Sequence, residues 1–163
     1  MLRTPSGILV NAPAALDSLL VRVPDGVNLK VESLDGNVSV TDIPGNAAVI
    51  AQHGDVDLKV PGYASASVGR GNLSVMMGAA QWPGTLRFST VRGDVELWIR
   101  ATAAFGVHLH ADDGTLFTDF GLRGRADGTS ETIDGSVNGG SGQRIDVEAR
   151  TGSIRLLRLA PQP

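Results

Sequence analysis

A glycine followed by a small polar residue and then by alternating apolar and polar residues recurs along almost the whole of this 163-residue chain. Aligned on that glycine, the copies are Gly36-Asn37-Val38-Ser39-Val40, Gly54-Asp55-Val56-Asp57-Leu58, Gly71-Asn72-Leu73-Ser74-Val75, Gly93-Asp94-Val95-Glu96-Leu97, Gly114-Thr115-Leu116-Phe117-Thr118, Gly135-Ser136-Val137-Asn138-Gly139 and Gly152-Ser153-Ile154-Arg155-Leu156. Successive glycines lie 18, 17, 22, 21, 21 and 17 residues apart, a length that suits one coil of a β-solenoid. Residues two apart on a strand share a face, so the second and fourth positions after each glycine point together, and they are mostly apolar. The positions between them are mostly polar, as in a sheet with one wet face.

The residues seven, five and three positions before each glycine give a second test of the same frame. They read Leu29/Val31/Ser33, Ala47/Val49/Ala51, Ala64/Ala66/Val68, Leu86/Phe88/Thr90, Val107/Leu109/Ala111 and Ile145/Val147/Ala149. The seventh set, Gly128/Ser130/Thr132, breaks the pattern. The stretch from Phe120 to Gly142 is therefore expected to be a loosely packed coil or to follow another register. Elsewhere each coil reads as strand, tight glycine corner, strand and variable return, the glycine supplying a corner that other residues reach only with strain.

This pattern predicts an all-β fold, a single-domain parallel β-solenoid of about seven coils over residues 27–159, with residues 1–26 as a lead-in or cap. Within that lead-in, Leu16 to Val23 is expected to be strand-like and Pro24-Asp25-Gly26 a turn. Met76 to Gly84 forms a longer excursion between coils, and Leu156 to Leu159 followed by Pro161 reads as the last strand and its stop. An interior of Val, Leu, Ile and Ala fits a chain that is 42% hydrophobic and only 4% aromatic.

The absence of cysteine excludes disulfides and thiolate metal sites, and a net charge of −3 gives no reason to expect nucleic acid as a partner. Ile8-Leu9-Val10 is too short for a signal-peptide core, and no run reaches the eighteen or so apolar residues of a membrane span. The chain reads as cytoplasmic as it stands, or as periplasmic or cell-surface if a leader precedes it.

The run from Val23 to Val40, the Gly54-Asp55-Val56 and Gly93-Asp94-Val95 corners and the closing Ala149-Arg150-Thr151-Gly152-Ser153-Ile154-Arg155-Leu156 resemble a bacterial adhesin-like family of repetitive β-solenoid domains of unknown function. The resemblance covers roughly Leu20 to Leu159. It implies a single-stranded β-helix or β-roll and an adhesin-like role, and it offers no catalytic residues.

Several residues are candidates for function. Trp98 lies between Glu96 and Arg100 where the alternation predicts a polar residue, and Phe117 breaks the same rule in the next copy. Neighbouring outward aromatics form a stacking platform for sugar or a protein contact, unless the excursion containing Trp82 folds over them. Asp57 and Glu96 occupy one column two coils apart, about 9.5 Å, within the range of an inverting glycosidase pair. The plainer reading is that serines between acids keep like charges off adjacent strands. His108 and His110 share a face with Asp112, a set that binds metal if a further ligand approaches and is otherwise a solvated outer face. Arg92-Gly93-Asp94 matches the integrin tripeptide but is also this chain's own corner. No phosphate loop, dinucleotide fingerprint or nucleophile elbow is present.

The expectation is thus a non-enzymatic module without cofactors, presenting a flat sheet face to a protein or carbohydrate ligand or to another copy of itself. The alternatives are a self-assembling, filament-like solenoid with uncapped ends and a carbohydrate-active enzyme using Asp57 and Glu96.

Overall fold

The computed structural model describes residues 2–4, 7–9, 27–43, 45–79, 81–82, 84–140 and 142–159. Among them the chain is all-β, a parallel solenoid with two sheet walls. Strands β1 (Leu2–Thr4) and β2 (Gly7–Leu9) form an antiparallel hairpin, and β2 pairs in parallel with the first coil. Four coils then follow in order: β3 (Leu29–Asp35) with β4 (Val38–Thr41), β5 (Ala47–His53) with β6 (Val56–Val60), β7 (Ala64–Arg70) with β8 (Leu73–Met77), and β9 (Thr85–Arg92) with β10 (Val95–Arg100). The rest comprises β11 (Phe105–Asp113) with β12 (Leu116–Thr118), a hairpin of β13 (Arg125–Asp127) and β14 (Ser130–Val137), and β15 (Arg144–Thr151) with β16 (Ile154–Leu159). The segments expected over Leu16–Val23, Pro24–Gly26 and Pro161 lie outside the described residues.

First strands of the coils line a ten-stranded sheet and second strands a six-stranded one. Between them the six regular inward sets are buried or half-buried, and the interior is aliphatic with Phe88 and Phe105 as its largest fully buried side chains. Thr90 is buried as well, its hydroxyl donating to the Gly93 carbonyl at 3.0 Å, so the polar member of its set is satisfied inside the corner.

The corners explain the glycines. Gly54, Gly71, Gly93 and Gly152 all have φ between 127° and 143°, a region that L side chains rarely adopt. A Cβ at any of them would collide with the backbone of the corner glycine one coil away. Gly36 shares the conformation, with φ of 122°, yet faces open space. Beside the glycines runs a ladder of side chains. Asn37 Oδ1 accepts the Asp55 amide (2.9 Å), Asp55 the Asn72 amide (2.8 Å), Asn72 the Asp94 amide (3.0 Å) and Asp94 the Ser153 amide (2.8 Å). In these four coils the small polar residue after the glycine is therefore an acceptor that satisfies the corner of the coil stacked next to it. Alternating Asn with Asp keeps two carboxylates from meeting on adjacent strands. Asn72→Ala leaves the Asp94 amide without its partner, and urea denaturation should show a loss of about 1 kcal/mol.

The coils are not stacked in sequence order. The last one, β15 and β16, lies between the fourth and fifth, with β15 paired to β9 and β11 and β16 paired to β10 and β12. The glycine column repeats this order, since Gly152 abuts Gly93 and Gly114 abuts Gly152. From Arg100 the chain turns through Ala103 and steps past an empty coil position that only the C-terminal segment fills. Trp82 secures that segment: its backbone amide donates to Gln143 Oε1 (2.9 Å) and its indole N–H to the Arg144 carbonyl (3.2 Å). Leu156 to Leu159, expected at an end of the stack, is thus interior to it.

The stretch from Phe120 to Gly142 follows another register. A Gly128-Thr129 turn, with Gly128 at φ 64°, folds β13 back on β14, and β14 runs antiparallel to β11. Ile133 and Val137 face the core, one residue out of phase with the expected Gly128/Ser130/Thr132 set. Gly135 is therefore a mid-strand residue opposite Val107, and Asn138, with φ of 51°, is a turn residue whose amide donates to the Ala101 and Ala103 carbonyls. This hairpin closes one end of the stack. Phe120 packs edge-on against Phe105 with centroids 5.6 Å apart, Leu122 packs on the core, and Glu131 Oε2 accepts the Leu116 amide at 2.8 Å.

Candidate binding face

The parallel register of the six-stranded sheet arranges its outward residues in straight columns. Read across the strands, the first column is Ser39, Asp57, Ser74, Glu96, Arg155 and Phe117. The second is Thr41, Lys59, Met76, Trp98 and Leu157. Met76, Trp98 and Leu157 occupy adjacent strands and are all half-buried, forming an apolar stripe on an outer wall. The indole N–H of Trp98 donates to Glu96 Oε1 at 2.7 Å. Arg100 Nε donates to the Gly78 carbonyl of the preceding coil. Glu96 and Arg100 thus flank Trp98 and fix the local surface, and Phe117 is 53% exposed.

Two expectations about this face change. Trp98 and Phe117 are not neighbours, because β16 lies between their strands and puts Arg155 beside Phe117 and Leu157 beside Trp98. Trp82 does not cover them either. It is buried, tilted against Phe105 with centroids 5.6 Å apart, and it closes the open side of the coil where β15 begins. Asp57 and Glu96 stand two strands apart with Ser74 between them, as their column position requires, and Glu96 is engaged by the indole.

On the opposite wall His108 and His110 stack with centroids 6.4 Å apart. His108 Nδ1 lies 2.6 Å from Asp134, while His110 bonds Thr132 through Nδ1 (2.8 Å) and Asp112 through Nε2 (2.9 Å). Asp112 therefore does meet His110, but both nitrogens of that ring are occupied. Among the described residues no group of three His, Asp or Glu side chains is arranged to hold a metal ion. The Arg92-Gly93-Asp94 carboxylate is an acceptor in the corner ladder, bonded to the Ser153 amide.

A family model described as Toastrack DUF4097 matches residues 17–157. The chain belongs to this Toastrack family. No curated protein and no solved structure matches it. In this Toastrack chain, Met76 and Leu157 are the residues of the stripe that sequence reasoning missed. Each is the fifth residue after its corner glycine, as Trp98 is, so the column was present in the alignment. Their adjacency was not, because it depends on where the last coil inserts. Among the described residues no helix is long and apolar enough to cross a membrane.

Proposed function

We propose that this Toastrack domain is a non-catalytic binding module, adhesin-like in using a rigid flat wall, and that the wall meets a protein partner through Met76, Trp98 and Leu157. The observation that carries this reading is the continuous apolar stripe across three paired strands, bordered by Lys59, Glu96, Arg100 and Arg155. An apolar centre with an aromatic anchor and a charged rim is the usual composition of a protein contact. A sugar platform is less well supported, since the two outward aromatics are separated and Trp98 has aliphatic neighbours. The closed end formed by β13, β14 and Glu131 speaks against a filament built by adding coils at that end.

The test is affinity capture from the source cells with three proteins: the wild type, a Met76→Ser/Trp98→Ala/Leu157→Ser variant, and a Ser65→Arg control on the other wall. A partner held by wild type and control and lost from the stripe variant, at an unchanged thermal midpoint, supports the reading. Trp98→Ala alone should then weaken the purified complex roughly 30-fold, about 2 kcal/mol. Equal capture by all three rejects it. Asp57→Asn/Glu96→Gln should leave capture intact, whereas a glycoside hydrolysis abolished by that pair would favour the enzymatic alternative.

A further inference from the structure

The wall carrying the first strands has a feature of a different kind. Near the corners of β5, β7 and β9 its surface drops into an open depression of about 500 Å³. Gly69 forms the floor, where a Cβ would run into the Gln52 carbonyl, so the backbone is necessarily bare there. Ile50 and Val91 rise at its rim, 44% and 47% exposed. Along its edge His53, Arg70 and Arg92 stand in register on three adjacent strands.

Arg70 and Arg92 are the unusual pair. Like charges directly opposite one another on neighbouring strands are destabilising. Neither guanidinium makes an ion pair among the described residues, whose ion pairs are Lys30–Glu32, His108–Asp134, His110–Asp112 and Arg144–Asp146. The carboxylates across the corner, Asp55 and Asp94, each accept a backbone amide of the ladder. His53 turns Nδ1 towards the Leu34 carbonyl at 3.3 Å.

We propose that this depression is a binding site for a phosphate monoester, with the phosphoryl group between Arg70 and Arg92 and an apolar substituent lying over Gly69 between Ile50 and Val91. Each guanidinium offers a fork of two N–H donors, so the pair can supply four donors to the three terminal phosphoryl oxygens. A carboxylate has two oxygens and fills one fork, leaving the second arginine as unneutralised as before. The bare floor and aliphatic rim add contact for the ester group without adding a charge. The ligand's chemistry is the same whether it arrives as a soluble ester or as the head of a phospholipid.

The experiment is calorimetric titration of the whole chain at low salt with phenyl phosphate, inorganic phosphate and benzoate. Phenyl phosphate should bind saturably and tightest. Arg70→Gln and Arg92→Gln should each weaken it roughly tenfold or more. Ile50→Thr/Val91→Thr should remove its advantage over inorganic phosphate while leaving inorganic phosphate binding unchanged. Because both arginines are exposed and oppose one another, the variants should keep or slightly raise the wild-type thermal midpoint, which separates lost binding from lost fold. No saturable phenyl phosphate binding at millimolar concentration, equal binding of benzoate, or undiminished binding by the double arginine variant overturns the site. Vesicles containing phosphatidic acid distinguish the sources: binding displaced by phenyl phosphate supports a lipid-borne ligand at this site, whereas binding that phenyl phosphate leaves untouched overturns the assignment.

Discussion

Deletion of residues 144–163 is expected to abolish cooperative folding. In a solenoid stacked in sequence order the last coil is an end, and removing it exposes one new edge at modest cost. Among the described residues the coil of β15 and β16 is the fifth of six two-stranded layers. Its loss unpairs β9 and β10 on one side and β11 and β12 on the other, leaving four strand edges facing a gap. It also removes Ile145, Val147, Ala149, Ile154 and Leu156 from the core, each at most 1% exposed. The gap spans about 9.5 Å between the remaining strands, too wide for their backbones to pair. Circular dichroism in urea should show no sigmoidal transition for the truncated chain, and a hydrophobic dye should bind it. A sharp transition with a slightly lowered midpoint would refute the inserted arrangement.

The second large effect is at the corners. Gly71→Ala should cost more than about 4 kcal/mol, beyond the range of ordinary substitutions. Two costs combine there: φ of 143° is unfavourable for any L side chain, and the new Cβ would occupy the space of the Gly54 carbonyl, so neighbouring coils must separate. Gly36→Ala carries only the conformational cost, about 1–3 kcal/mol, because nothing lies within 4 Å of its Cβ position. Comparing urea midpoints of the two variants isolates the stacking collision from the backbone preference. Equal losses would mean that conformation alone selects glycine at these positions.

Most of the local architecture was legible in the sequence. The glycine column, the inward sets and the wet positions follow from period-two alternation and corner chemistry, and both are local properties. The order of the coils was not legible. Nothing in Ala149-Arg150-Thr151-Gly152-Ser153-Ile154 says that its neighbours are Gly93 and Gly114 rather than the preceding copy, because every coil offers nearly the same edge. Distinguishing information lies in single contacts such as Trp82 with Arg144 and Gln143, which join residues about sixty positions apart and leave no periodic trace. The hairpin at 125–137 carried a local signal, a glycine at the first position of the Gly128-Thr129 turn, whose chemistry outweighs the apparent Gly135 corner. At the candidate face, Trp98 stood out because it broke an alternation. Met76 and Leu157 were harder to see, since an apolar residue near a strand's end is ordinary until its neighbours are known.

The inserted coil also sets the moment at which the stack becomes continuous during synthesis. Translation delivers β9 to β12 before β15 and β16, so a chain leaving the ribosome carries an open slot lined by β9, β10, β11 and β12 until residues 144–159 emerge. Vectorial folding, which suits repeat proteins whose units dock one after another, stops halfway here. The closing step must wait for residues 144–159.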